Sequence, residues 1–234
     1  MMDTLDRDLP LFPLGQVVLV PGMLLRLHIF EERYKALIGR CHVAEQPFGV
    51  LLIRSGREVG PPAEPERVGC TARILELERL PEGRMNIVAI GEQRFTLLTD
   101  PAPAEDGFLL ARVRLVTRED APSVPLTLMQ AVATQLELYV NAVTSIAGAE
   151  ALNDVPVLAS DSVTLSFRVG AALKIRPRER QKLLETDDAL DRLTRELALL
   201  GRELPRIRRD ARIARAVQAS PPPEAKSIGP FSLN

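Results

Sequence analysis

The chain has no tryptophan and only two cysteines and two histidines among 234 residues. A structural zinc site takes about four Cys or His ligands in paired spacings. Cys41-His42 has no second pair near it, so metal chemistry is excluded on ligand count. Cys70 lies in an apolar strand pattern and reads as a small buried core residue. A Ser–His–Asp arrangement would have to use His28 or His42, and no GxSxG elbow is present. His28 alternates within an apolar run, which suits a packed, hydrogen-bonded imidazole better than a general base. Neither GxxxxGK[ST] nor GxGxxG occurs, which removes two common phosphate cradles. Lysine stands only at positions 35, 174, 182 and 226, none in a recognisable Ser–Lys motif. Lys174 lies in an apolar helical run and suits a solvent-facing or inter-helix ion pair. The carboxylate pairs Glu31-Glu32 and Asp187-Asp188 both open helices, where the dipole favours negative charge. The expectation is a non-enzymatic chain with no catalytic residue, no metal and no cofactor.

An excess of either charge is also absent: 30 basic residues face 31 acidic ones, for a net charge of -1. A global basic footprint for nucleic acid is therefore missing. The longest apolar stretch, Val17 to Leu25, is interrupted by Pro21-Gly22 and falls far short of the roughly 20 residues of a membrane span. The acidic start MMDTLDRDLP has no apolar core and is not a secretory signal. A cytoplasmic chain with no membrane partner is the default expectation.

What is present is 46% hydrophobic residues in two successive patterns. The first half alternates as short strands. Leu9 to Gly15 carries two prolines and reads as an edge or irregular strand. Gln16 to Val20, Met23 to Ile29 and Phe48 to Ile53 are further apolar runs, with Pro21-Gly22 as a turn. Glu31 to Gly39 has helical spacing, with Tyr34, Leu37 and Ile38 on one face and Gly39 as its end. Gly56 to Pro65 is a loop. Val68 to Glu78 alternates until Ile74, then shifts phase to Leu75 and Leu77, the mark of a bulge or bend. Pro81-Glu82-Gly83 is a hairpin turn into Met85 to Ile90; Gly91 breaks the run before Arg94 to Leu98. Phe108 to Val116 alternates again. Many short strands with frequent turns predict a small barrel or folded sheet.

After a linker at Glu119 to Val124 the period becomes helical. Leu126, Met129, Ala133, Leu136, Val140 and Val143 share a face, with Pro125 at the first helical position and a break at Gly148 to Pro156. Asp161 or Ser162 caps a second helix burying Leu165, Phe167 and Leu173. Pro177 opens a third, through Leu184. Thr186 caps a fourth, whose stripe runs from Leu190 to Ile207, and Gly201 and Pro205 should bend or unwind it. The predicted fold is α+β. It comprises a β barrel-like unit at 1–118, a helical bundle at 119–218 ending in a long basic helix, and a Pro-rich flexible tail at 219–234.

The order and spacing of several stretches resemble one family. Leu9-Pro-Leu-Phe-Pro-Leu-Gly15, Val17 to Pro21 and Leu27-His-Ile-Phe-Glu-Glu-Arg-Tyr34 are similar to the opening of the Lon protease N-terminal substrate-binding domain. Val68 to Ile74, Pro81-Glu-Gly83 and Ile90 to Phe95 resemble its middle strands. Leu165 to Val169, Arg180 to Glu185 and Asp191-Arg-Leu193 resemble its helices. The resemblance covers nearly residues 8 to 215. It implies a PUA-like pseudo-barrel followed by a helical bundle, as a stand-alone member without the ATPase and Ser–Lys peptidase domains of the complete protease. It further implies a protein- or peptide-binding module that recognises unfolded or damaged polypeptides. Such a module would be an adaptor or chaperone-like factor in protein quality control, with a protease or chaperone as partner.

Phe12, Leu14, Phe30 and Tyr34 are the candidate apolar contacts for a bound peptide, with Glu32 and Arg33 as polar neighbours. Each also has a packing explanation: the aromatics as core, and Arg33 as the partner of a carboxylate. The alternative function is RNA binding, suggested by the PUA-like fold and by Arg206, Arg208, Arg209 and Arg212. Those arginines equally suit a solvated face near a helix C-terminus, and no aromatics are interleaved for base stacking.

Overall fold

The computed structural model describes residues 6–55, 64–116, 123–147 and 161–219, with side chains to position 213. Most of the predicted linker at 119–124, the break at 148–156, most of the loop at 56–65 and the tail beyond 219 lie outside the described residues. The elements run β1 (Asp6–Leu14), β2 (Leu24–Ile29), α1 (Glu32–Val43), β3 (Phe48–Ser55), β4 (Glu64–Pro65), β5 (Val68–Arg79), β6 (Met85–Leu97), β7 (Ala102–Pro103), β8 (Leu109–Leu115), then α2 (Leu126–Ala147), α3 (Ser162–Ala172), α4 (Pro177–Glu185) and α5 (Ala189–Ala219). Mixed α+β architecture holds: strands come first, then helices that pack on one another.

Five strands close a ring, each hydrogen-bonded to the next in the order β6-β5-β3-β1-β8 and back to β6. This is a pseudo-barrel. Its interior is filled by Leu9, Leu11, Leu51, Phe95, Ala111 and Val113. Gly49 and Gly69 leave the space that the Phe95 ring occupies. A second core lies between the ring and α1, whose Tyr34, Leu37, Ile38 and Cys41 meet Phe12, Phe48, Val50 and Ile87. The helices share a third core, built on Leu136, Tyr139, Leu165, Leu193 and Leu200.

β1 is not an edge strand. It pairs antiparallel with β8 through Asp6–Leu11 and parallel with β3 through Leu11–Leu14. The two ladders overlap only at Leu11. Pro10 therefore falls outside one ladder and Pro13 outside the other, so each proline has an open flank where a missing N–H breaks nothing. Gln16 to Val20 forms no strand: Val18, Leu19 and Val20 are buried as an irregular segment that crosses over Gly91.

Gly91 does not divide its run, because β6 is continuous for 13 residues. One edge of β6 serves two partners in succession, β2 along Met85–Ile90 and β8 along Phe95–Leu97. Gly91 stands at the handover. A Cβ there would lie 2.3 Å from the carbonyl oxygen of Val20, so only glycine allows the crossing chain this close. The expected phase switch in β5 is a bulge: Ile74 pairs with Ala89 and Glu76 with Val88, leaving Leu75 extra. A second irregularity near Cys70 is stitched by Thr71, whose hydroxyl donates to the Gln93 carbonyl and accepts from its N–H.

Three helix ends differ from expectation. α1 continues past Gly39, since Ile38 and Cys41 on either side are buried. It ends with Glu45 at φ 51° in the left-handed position, and the Gln46 N–H bonds the Cys41 carbonyl. Pro125 precedes α2 and its carbonyl accepts from Leu128 and Met129, so it caps the helix from outside. Asp188, not Thr186, caps α5, accepting from the Leu190 N–H, while Thr186 ends α4. Neither Gly201 nor Pro205 interrupts α5. The carbonyl that loses its helical partner to Pro205 belongs to Gly201, four residues earlier, and Gly201 is exposed. Buried Leu200 and Leu204 hold the helix on both sides.

Candidate functional site

The sequence candidates divide into an inner and an outer set. Phe12, on β1, and Tyr34, on α1, stack at 3.9 Å with ring planes 15° apart, and Phe48 closes on Phe12 at 6.1 Å. Both stacked rings are buried, as is Leu14. Arg33 lies with its guanidinium 4.5 Å from the Tyr34 ring centre and 2.8 Å from the Glu31 carboxylate. Glu32 is exposed and pairs with Lys35 at 2.8 Å; the Lys35 ammonium also donates to the Glu82 carbonyl in the β5–β6 turn. Phe30 is the outer aromatic. It follows the last residue of β2, is 59% exposed, and its ring lies 6.2 Å from His28.

His28 lines a shallow groove of about 410 Å³ on the outer face of β2, β6 and β5, and Phe30 stands next to it through the His28 ring. Its polar floor is a cross-strand row: the His28 ring nitrogen bonds the Asn86 side-chain oxygen at 2.8 Å, and the Asn86 amide donates to Glu78 at 2.8 Å. Arg26 and Glu76 flank this row, on either side of Val88. Sequence reasoning missed the groove. The alternation Arg26, His28 against Leu25, Leu27, Ile29 was its only local signal, and the partners from β5 and β6 lie some fifty residues away.

The basic cluster on α5 is partly neutralised. Arg206 pairs with Glu203 at 3.3 Å, and Arg209 faces Asp210 at 3.8 Å. Arg202, one turn earlier, bridges Glu179 and Glu203. Arg208 and Arg212 are exposed with no ion pair among the described residues. The structure thus places the two candidate sets far apart in the chain, one beside β2 and one late in α5.

Burial pushes the Cys41 thiol up to about 11 and raises that of Cys70 further, so neither is a thiolate near neutrality. Among the described residues no group of three or more His, Cys, Asp or Glu is placed to hold a metal ion. Among them, too, no helix is long and apolar enough to cross a membrane.

Comparison with known proteins gives the family. The model of the ATP-dependent protease La (LON) substrate-binding domain matches residues 8–202. The chain belongs to that family. It is 31% identical over 206 residues to a Lon protease of Paraburkholderia phytofirmans, covering 84% of this chain and 24% of that protein. It is 27% identical over 203 residues to one from Roseiflexus castenholzii, covering 83% and 24%. The chain therefore spans about a quarter of the length of these relatives. Among solved structures, a Lon N-terminal domain protein from Xanthomonas campestris superposes with a TM-score of 0.62 at 26% identity, covering 82% of this chain and 98% of the other. The N-terminal domain of the Mycobacterium avium complex Lon protease superposes equally well, with a TM-score of 0.62 at 19% identity, and supports the fold.

Proposed function

We propose that this Lon substrate-binding family chain binds unfolded or damaged polypeptide without catalysing a reaction on it, and acts as an adaptor or chaperone-like factor in protein quality control. The family match over residues 8–202 carries this reading, because the family is defined by substrate binding. The geometry adds a surface suited to it. Phe30 offers an exposed apolar ring beside a groove with polar partners, the mixture that peptide-recognition sites use. Phe12, Leu14 and Tyr34 belong to the core that backs β2, and Glu32 and Arg33 follow Phe30 at the start of α1. A protease or chaperone would receive the bound client.

The test is a fluorescence-anisotropy titration of the full chain with a permanently unfolded polypeptide and with the same polypeptide folded. Binding of the unfolded form alone is expected, weakened about threefold to tenfold by Phe30→Ser. Equal binding of both forms, or none, would sink the proposal. The RNA-binding alternative rests on Arg208 and Arg212. It requires an affinity for single-stranded RNA that falls steeply as salt is raised, a dependence that apolar peptide contacts lack.

A further inference from the structure

Among the described residues β2 leaves one backbone edge unpaired. It stands at the end of the strand order, bonded to β6 alone among the described strands. The Gly91 N–H donates to the Met23 carbonyl, and the β2–β6 register continues from it through Leu25–Ala89, Leu27–Ile87 and Ile29–Met85. In an antiparallel ladder alternate residues bond the same neighbour. The main-chain N–H and C=O groups of Leu24, Arg26 and His28 therefore point away from β6.

Folded proteins usually blunt such an edge with proline, a bulge or extreme shortness. β4 and β7, which also hang off the ring, follow that rule: each is two residues long and contains a proline, Pro65 or Pro103. β2 has six residues, no proline and an unbroken register. Its edge is the exception.

We infer that the free edge of β2 receives an extended segment of client polypeptide as an added strand, with an acidic side chain opposite Arg26 and apolar side chains on the Leu27 side. The inference rests on the polypeptide-binding reading and specifies its chemistry. Residues directly opposite one another in a ladder share a face. A client residue opposite Arg26 lies beside a guanidinium that makes no ion pair among the described residues. The next client residues turn to the other face, where Leu27 is only half-buried against the core and can be covered. Exposed Phe30, on the His28 side, adds an apolar ring past the end of the strand. A second copy of this chain fits the edge less well. Antiparallel pairing of two copies that matches their outward residues Leu24, Arg26 and His28 sets Arg26 against Arg26, and like charges directly opposite are destabilising.

The experiment uses the full chain and short fluorescent peptides that alternate valine with glutamate. Main-chain methylation at one alternate set of peptide nitrogens removes the donors that would face the edge; methylation of the other set does not. One methylated peptide should bind about tenfold or more weakly than the parent and the other unchanged, since each lost pair of edge bonds is worth about that factor. A valine–lysine peptide should also bind more weakly. Arg26→Pro, which removes an outward N–H and the cation together, should abolish binding while the circular dichroism spectrum stays unchanged. His28→Pro, which keeps the cation, should still impair it. Equal affinity of the two methylated peptides would overturn strand addition, even where unfolded polypeptide still binds. Failure of every unfolded polypeptide to bind would remove the broader reading as well.

Discussion

Arg94, on β6, donates through its guanidinium to the carbonyl of Thr186, 92 residues later in the turn between α4 and α5, at 3.2 Å. The same nitrogen reaches the Leu184 carbonyl at 2.9 Å, and Arg94 is only 3% exposed. Gln181 adds a second tie, from its side-chain amide to the Val68 carbonyl at 3.0 Å. Around them Val18, Val20, Leu52, Phe167 and Leu184 form a small apolar cluster shared by strands and helices. The helices are thus fastened to the ring by buried donors set in an apolar patch.

Arg94→Met should cost about 2–4 kcal/mol, because it keeps the volume but leaves two buried carbonyls without this donor. Arg94→Lys should recover part of that loss. Urea denaturation of the full chain measures both. A methionine variant within about 0.5 kcal/mol of the parent would show that the apolar cluster alone holds the junction.

Much of the fold was legible because the hydrophobic period changes cleanly from strand to helix. Leu165, Phe167 and Leu173 are buried as their spacing required, and Asp161 is the cap. The errors share one cause. Gly39, Gly91, Gly201 and Pro205 have the look of local punctuation in the sequence, yet each lies inside a continuous element held by distant packing. Pro10 and Pro13 suggest an edge or irregular strand, yet the ladders on β1 simply end beside them. The candidate surface was half legible: Phe30 could be named from sequence, but the groove depends on β5 and β6 aligning Glu78 and Asn86 beside His28.

Glu196 supplies a prediction about pH. It is fully buried on α5 facing α3, and among the described residues neither carboxyl oxygen has a hydrogen-bond partner. Desolvation raises its pKa well above 4.5, while Arg192, one turn earlier, only partly opposes this. In the interval between 4.5 and the raised value, the folded chain holds a proton that the unfolded chain has lost. Stability must therefore fall as pH rises through that interval. Glu196→Gln mimics the protonated acid. It should remove this slope and stabilise the chain at neutral pH by about 1–3 kcal/mol. Thermal melts across acid and neutral pH check the sign; a destabilised glutamine variant would refute it.

The start of α3 offers a local test. The Asp161 carboxylate accepts from the Thr164 N–H and from the Thr164 hydroxyl, both at 2.8 Å. Asp161→Ala should cost about 1 kcal/mol, and Asp161→Asn much less, since an amide oxygen also caps. Denaturation midpoints at low and high salt separate the cap from simple charge, because a lost hydrogen bond is insensitive to screening.

Two glycines with opposite surroundings test the crossing at β6. Gly91→Ala would put a methyl group 2.3 Å from the Val20 carbonyl oxygen and 3.1 Å from the Leu19 side chain. The backbone cannot retreat cheaply, because the Gly91 N–H is bonded to Met23 and its carbonyl accepts from Gly22. The substitution should cost about 2 kcal/mol or more by overpacking. Gly201→Ala meets nothing within 4 Å and sits inside a helix, where alanine is better by about 0.5–1 kcal/mol. Chemical denaturation of the pair should move in opposite directions. The Gly91 variant carries the further expectation of faster amide exchange along β2, since the same crossing segment leads into that strand. If Gly91→Ala is neutral and the exchange of β2 is unchanged, Val20 does not approach β6 in solution as it does here.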